Sequence, residues 1–306
     1  MGIIERALEK KAQQQNKSVS DEQPVNEGIV SDPLLQKQQS PADQTLPTIS
    51  SEDQQPIAET DREFEQQAVQ IDMDRLRDKG MLVPDLERNR IKEEYRVIKR
   101  RLLNTAFNVA GPLADNANLV MVTSANPSEG KSFNAINLAM SIAHEQDRTV
   151  LLVDADVVKP SLTKELGIEP RPGLVEYLLG KVEDIGDVIC NTNIPRLKII
   201  QAGQSHHLTS ELLASDKMRA LVSELGARYP DRLVLFDSPP LLGVTEAHAM
   251  AQLAGQTVLV VSQGRTLKKD VQACIPLLNP DSAVGLLMNR AKPKDKKYYA
   301  YGYYNG

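Results

Sequence analysis

The chain has 306 residues, with 36 basic and 41 acidic side chains and a formal net charge of −5. That balance argues against a general nucleic-acid-binding surface, and the length admits one large domain or two small ones. An apolar fraction of 41% falls slightly below the globular average, as expected of a folded domain carrying a polar extension.

Residues 1 to about 85 are rich in Gln, Ser, Asp and Pro. Their low hydrophobicity cannot offset the entropy of ordering, so most of this stretch is predicted to be disordered. Within it, Ile3, Ile4, Ala7 and Leu8 share one helical face, ringed by Glu5, Arg6, Glu9, Lys10 and Lys11. The pattern predicts a short amphipathic helix, with a frayed terminus as the alternative. Arg6 stands where a myristoylation signal following Gly2 needs Ser or Thr. No signal peptide is visible, and no apolar run reaches the ~18 residues of a membrane span. The expected location is therefore cytoplasmic, with any link to a membrane made through a partner or a surface helix. Cys190 and Cys274 lack metal-ligand spacing and read as small core residues of a reduced, intracellular protein.

From about Asn89 a helix is predicted, with Ile91, Tyr95, Ile98 and Leu102 at helical period. Beyond it, apolar strands at 119–125, 149–156, 197–203, 232–240, 256–264 and 283–290 alternate with helical candidates at 131–145, 210–228, 245–253 and 267–278. Near-continuous apolar strands alternating with helices predict an α/β fold, a three-layer parallel β-sheet covered by helices on both faces.

The segment Ala125-Asn126-Pro127-Ser128-Glu129-Gly130-Lys131-Ser132 follows the first strand and opens a helix. It fits G-x-x-x-x-G-K-[ST], with Ala125 in place of the first glycine. Loop and helix-terminal N–H groups of Asn126 to Phe133 face phosphates in such a turn. Gly130 permits close approach, Lys131 reaches the β- and γ-phosphates, and the Ser132 hydroxyl can ligate Mg²⁺. The alternative is a plain strand–turn–helix. Asp154 and Asp156 end the second strand and Asp237 ends a later one, at the sheet edge where open α/β folds bind ligands. With Ser132 they form a candidate Mg²⁺ set, whereas single acidic residues at such places are often only helix caps.

These motifs resemble the bacterial tyrosine kinase (BY-kinase) family, the P-loop kinases of polysaccharide export, over about residues 85–306. The matching segments are SANPSEGKS, LLVDADVVKP, LVLFDSPPLL, SELLAS and a tyrosine-rich tail. The polar extension beginning MGIIERALEK is further similar to the tyrosine autokinases of exosortase-associated exopolysaccharide loci. The resemblance implies a P-loop NTPase fold of partition-ATPase-like topology. It also implies a division into a polar extension (1–85), a kinase domain (86–292) and an autophosphorylation tail (293–306). Lys131 and Ser132 would hold phosphate and Mg²⁺, Asp154 and Asp156 would position Mg²⁺ and activate the attacking tyrosine, and Asp237 would support the metal. The implied ligands are ATP and Mg²⁺. The implied partners are further copies of the chain, in an oligomer or ring, and a separate membrane chain-length-determinant protein that activates it.

Two departures bear on phosphate contact. Val158 replaces the arginine usual in the family's second motif, with Lys159 adjacent, and Ser128 replaces a loop glycine. Glu93, Arg96 and Lys99 resemble the family's oligomerisation motif, the alternative being an ordinary charged helix face. Asn289 and Arg290 follow the last strand, where an asparagine contacts the base in related folds, the alternative being a strand-end cap.

Five of the eight tyrosines, Tyr298, Tyr299, Tyr301, Tyr303 and Tyr304, lie in the last nine residues of a chain without tryptophan. With a P-loop kinase they read as phosphoacceptors carried by the enzyme itself, and otherwise as a sticky terminus. A partition or cell-division type ATPase is a rival reading. Asn126 stands where those proteins have a signature lysine. A weakly catalytic, nucleotide-gated adaptor of the export machinery is another.

Overall fold

The computed structural model describes residues 68–84, 90–108, 115–207, 209–228 and 231–292. The proposed amphipathic helix at residues 1–12 and the tyrosine tail lie outside the described residues.

Seven strands form one sheet: β1 (Leu119–Ser124), β2 (Thr149–Asp154), β3 (Ile189–Asn191), β4 (Leu197–Ile200), β5 (Arg232–Asp237), β6 (Gln256–Ser262) and β7 (Ala283–Asn289). Their order is β3-β4-β2-β5-β1-β6-β7. All neighbours are parallel except β3 with β4. β1, β2 and β5 are fully or almost fully buried along their length, which is why they read as continuous apolar runs.

Helices cover both faces. On one side α1 (Met73–Asp78), α2 (Arg90–Phe107), α3 (Lys131–Ala143) and α4 (Leu162–Leu166) pack over Val120, Val122, Leu152 and Leu235. On the other, α5 (Leu174–Leu178), α6 (Thr209–Leu213), α7 (Asp216–Arg228), α8 (Thr245–Leu253) and α9 (Lys268–Cys274) pack over Leu119, Met121, Val153 and Phe236. α3 is buried from Asn134 to Ala143 because it lies between the sheet and α2.

Three sequence expectations need correction. The predicted helix 210–228 is two helices, because Ser215 ends the first and caps the second. Its Oγ donates to the Leu212 carbonyl (2.7 Å) and accepts from the Met218 N–H (3.2 Å). The predicted helix 267–278 stops at Cys274 and continues as a 3₁₀ turn, Ile275–Leu277, containing Pro276. The antiparallel strand β3 has only three residues, too few to show a period.

The predicted polar extension also contains packed residues. Residues 68–84 form a strap over the domain, with Val69, Ile71, Leu76, Met81, Leu82 and Val83 buried in the core. Val69 bridges Thr192 beside β3, and Asn193 Oδ1 accepts from the Ile71 N–H (2.9 Å). Asn137 of α3 accepts from the Leu82 N–H (2.7 Å). Six apolar residues among charged neighbours supply the burial that the polar composition of the wider segment conceals. Leu76→Ala should therefore destabilise the protein by about 2–5 kcal/mol in urea denaturation, as a core truncation does. A change near zero would return the strap to the extension.

Candidate functional site

The site is assembled by register. β2 and β5 pair so that Asp154 lies beside Asp237, and β5 pairs with β1 so that Asp237 lies beside Val122. The loop leaving β1 therefore turns directly above two buried carboxylates. Lys131, the first residue of α3, bends back over them. Its Nζ lies 2.5 Å from Asp156 Oδ2 and 3.8 Å from Asp237 Oδ1. Burial alone would pull the lysine's pKa down, but the charges of Asp237 and Asp156 outweigh burial and hold it above the ordinary value.

The three carboxylates differ in environment. Asp154 is fully buried; its Oδ2 accepts from the Leu162 N–H (3.1 Å), and its Oδ1 has no hydrogen-bond partner. Burial and the Asp237 charge push its carboxyl well above the usual range. Asp237 is fully buried with neither oxygen hydrogen-bonded, and burial raises it to about 6 against the pull of the Lys131 charge. Asp156 accepts from the Lys159 N–H (3.2 Å) as well as from Lys131.

Three buried carboxylate oxygens without hydrogen-bond partners, under a hydroxyl and a lysine, fit a divalent cation that shares its shell with phosphate and water. Among the described residues, no group of three or more His, Cys, Asp or Glu is arranged to hold an ion alone. Ser132, Asp154, Asp156 and Asp237 would thus hold Mg²⁺ only together with nucleotide oxygens.

The loop is held by its own side chains. Gly130 sits at φ 100°, and a Cβ there would lie 2.0 Å from Asn289 Nδ2, which donates to the Glu129 carbonyl (2.8 Å). Asn289 Oδ1 accepts from the Arg290 N–H (2.9 Å), so this residue ties the strand end to the loop. Arg290 donates to Ser262 Oγ (3.3 Å). Ser128 adopts φ 65°, the left-handed conformation that a glycine takes freely and that costs another residue about 1 kcal/mol.

The buried carboxylate of Glu129 is turned into the loop, so a phosphate contact from this residue would come from its N–H. The carboxylate accepts from the Asn126 N–H (3.0 Å) and from Thr266 Oγ1 (2.5 Å). Asn126 Nδ2 donates to Asp270 Oδ2 (3.1 Å). Pro127 has no N–H to offer, and its exposed ring only shapes the turn. Phe133 packs partly against the core.

Several contributors carried no sequence signal. Ser161 Oγ donates to Ser132 Oγ (2.8 Å). Tyr95 of α2 donates to Asn134 Oδ1 (2.7 Å), and Asn134 Nδ2 donates to the Gly130 carbonyl (2.8 Å), joining α2 to the loop. Only their position beside the motifs could have suggested them. Val158 is exposed, as is Lys159, on the turn after Asp156.

Of the expected interface residues, Glu93 and Arg96 are half exposed and pair with each other (3.2 Å). Lys99 is the exception: it is buried, bound to the Ser141 carbonyl (2.9 Å) and to Glu145 (2.5 Å) at the end of α3. A period of three on a helix of 3.6 residues per turn carries it around to the packed face.

The family model described as "AAA domain" matches residues 119–271. The tyrosine-protein kinase YwqD of Bacillus subtilis is 36% identical over 187 residues, covering 60% of this chain and 76% of that protein. This chain belongs to the bacterial tyrosine-protein kinase family. The succinoglycan biosynthesis transport protein ExoP of Rhizobium meliloti is 33% identical over 72% of this chain, which spans 27% of ExoP. Other relatives named tyrosine-protein kinases are likewise matched over 23% to 28% of their length. The kinase domain of Escherichia coli ETK aligns with a TM-score of 0.57 and 28% identity, covering 77% of this chain and 94% of that domain. The kinase-family chain thus has a P-loop NTPase fold, and among its described residues no helix is long and apolar enough to cross a membrane.

A carboxyl raised in the folded state binds its proton more tightly there than in the unfolded chain. The nucleotide-free fold therefore carries a penalty from Asp237 that is absent below about pH 4 and complete above about pH 6. Asp237→Asn should make the nucleotide-free protein more stable than the parent at pH 8, by roughly 2–3 kcal/mol, with the gap closing towards pH 4. Urea denaturation across that range checks it.

Proposed function

We propose that the chain is an ATP-dependent protein-tyrosine autokinase. It transfers the γ-phosphoryl group to the tail cluster, Tyr298, Tyr299, Tyr301, Tyr303 and Tyr304, in trans within an oligomer. The modification regulates exopolysaccharide polymerisation and export. The observation that carries this reading is Lys131 gathered onto Asp156 above the in-register pair Asp154 and Asp237, at the mouth of a P-loop.

Phosphoryl transfer asks mainly for positioning and charge neutralisation. Triphosphate entering the loop draws Lys131 from Asp156 to its β- and γ-oxygens, which frees the carboxylate. Mg²⁺, when bound, neutralises phosphate charge. A tyrosine hydroxyl, with a pKa near ~10, attacks the γ-phosphorus as the bond to the β-phosphate oxygen breaks. Asp154 and Asp156 would take the phenolic proton. The tail lysines Lys292, Lys294, Lys296 and Lys297 make the unmodified segment basic. Each phosphate adds about −1.5 to −2 charges, so several reverse its sign and loosen contacts with acidic neighbours.

Further copies of the chain would meet at the α2 face carrying Glu93 and Arg96, while Lys99 serves the protomer's own fold. A separate membrane chain-length-determinant protein would act as activator and hold the kinase at the inner face of the membrane. ExoP's name, a polysaccharide transport protein, supports that setting.

Full-length protein given ATP and Mg²⁺ should acquire phosphotyrosine confined to Tyr298–Tyr304 by mass spectrometry. Lys131→Met should reduce the label on the order of 10²-fold or more. Mixed with intact protein, the Lys131→Met chain should be labelled in trans. Phosphate release without tyrosine label would favour a partition-type ATPase, and nucleotide binding without either product an adaptor.

A further inference from the structure

The hydroxyl of Ser161 does not serve its own helix. The residue stands at the N-cap of α4, where a serine ordinarily accepts from a backbone N–H of the first turn. It makes no such bond. Asp154 Oδ2 accepts from the first N–H of the helix, Leu162 (3.1 Å), and Ser161 Oγ reaches across to Ser132 Oγ at 2.8 Å. A side chain suited to capping is thus turned into the phosphate site.

α4 is held from several sides, which fixes where that hydroxyl lies. Leu162 and Leu166 are fully buried. Thr163 Oγ1 donates to Oε1 of the buried Gln201, just past β4 (3.1 Å). From the strap, the Asp72 N–H donates to the Leu166 carbonyl (3.0 Å), and Lys79 pairs with Glu165 (2.5 Å). The turn leading into α4 is tied by Asp156, which accepts from the Lys159 N–H (3.2 Å).

A serine hydroxyl has two acceptor lone pairs. In the nucleotide-free protein Ser132 Oγ accepts from Ser161 and, more weakly, from Lys131 Nζ (3.4 Å). Nucleotide phosphate that draws Lys131 away frees one lone pair, while Ser161 keeps hold of the other. We infer that Ser161 is a positioning residue for the divalent cation: its hydroxyl fixes Ser132 Oγ with a lone pair free for the metal, and so sets how tightly Mg²⁺ is held with nucleotide.

Ser161 acts through Ser132 and not on the cation itself. The stretch from Asp154 to Leu162 then supplies two carboxylates of the cation set together with the hydroxyl that orients the serine across the site. Asp154 works at both ends of it: Oδ2 anchors α4, and Oδ1 has no hydrogen-bond partner. Removing a group that orients a metal ligand by hydrogen bonding weakens metal binding by about 10- to 100-fold. This role rests on the reading of the loop as a site for ATP and Mg²⁺.

Calorimetric titration of full-length protein with ADP, in Mg²⁺ and again in excess EDTA, tests the role without any phosphoryl transfer. Ser161→Ala should weaken ADP binding about tenfold in Mg²⁺ and leave binding in EDTA unchanged. Ser161→Thr, which keeps the hydroxyl, should restore most of the Mg²⁺-dependent affinity. In a Ser132→Ala background Ser161→Ala should add nothing, because its effect runs through Ser132. Equal Mg²⁺-dependent affinity in the parent and Ser161→Ala would overturn the inference. So would equal losses with and without Mg²⁺, or additive losses in the Ser132→Ala background. A parent whose ADP binding ignores Mg²⁺ would remove the cation site, and this role with it. Absence of tyrosine labelling while the Mg²⁺ effect stands would count against the kinase reading alone.

Discussion

A lysine surrounded by three carboxylates sets the terms for the rest of the site. Asp154 and Asp237 are buried side by side, and two ionised carboxylates in such a place repel each other and lose their hydration. Lys131 supplies the compensating charge, and its pairing with Asp156 keeps it over the cluster. The arrangement is incomplete by design of its chemistry. Carboxylate oxygens without hydrogen-bond partners remain beneath the loop, and a phosphate-bound cation would satisfy them. What is a cost in the nucleotide-free protein becomes affinity when charge arrives.

The loop above this cluster is built with little slack. Glu129 and Thr266 hold its outer side, Asn289 crosses from the last strand, and Asn134 connects it to Tyr95 on α2. Glu93 and Arg96 lie on the same helix as Tyr95, so contact at the helix surface has a short, hydrogen-bonded route to Gly130. The strap of residues 68–84 adds a second link. Lys79 pairs with Glu165 of α4 (2.5 Å), the helix whose Leu162 N–H binds Asp154.

Strong local patterns made most of this legible. Continuous apolar strands announced the buried parallel sheet, and the motif around Gly130-Lys131-Ser132 announced a loop between strand and helix at the sheet edge. Strand ends carrying Asp154, Asp156 and Asp237 pointed to one edge, and parallel register brings them there. What stayed hidden depends on contacts between distant segments. Ser161 meets Ser132 because α4 folds back over the site, and the strap is ordered by a groove its own composition does not reveal. Lys99 was placed on a surface by motif spacing, whereas helical geometry buries it. The division of Asn289 between base contact and cap was equally unreadable, since its partner, the Glu129 carbonyl, lies far away in sequence.

Following the γ-phosphorus of ATP by phosphorus NMR, in full-length protein with Mg²⁺, bears most directly on whether this cluster serves tyrosine phosphorylation. A protein-bound phosphotyrosine ester that accumulates with time and disappears in Asp156→Asn is the expected result. Conversion of ATP to ADP and inorganic phosphate alone, with no ester formed, would contradict it.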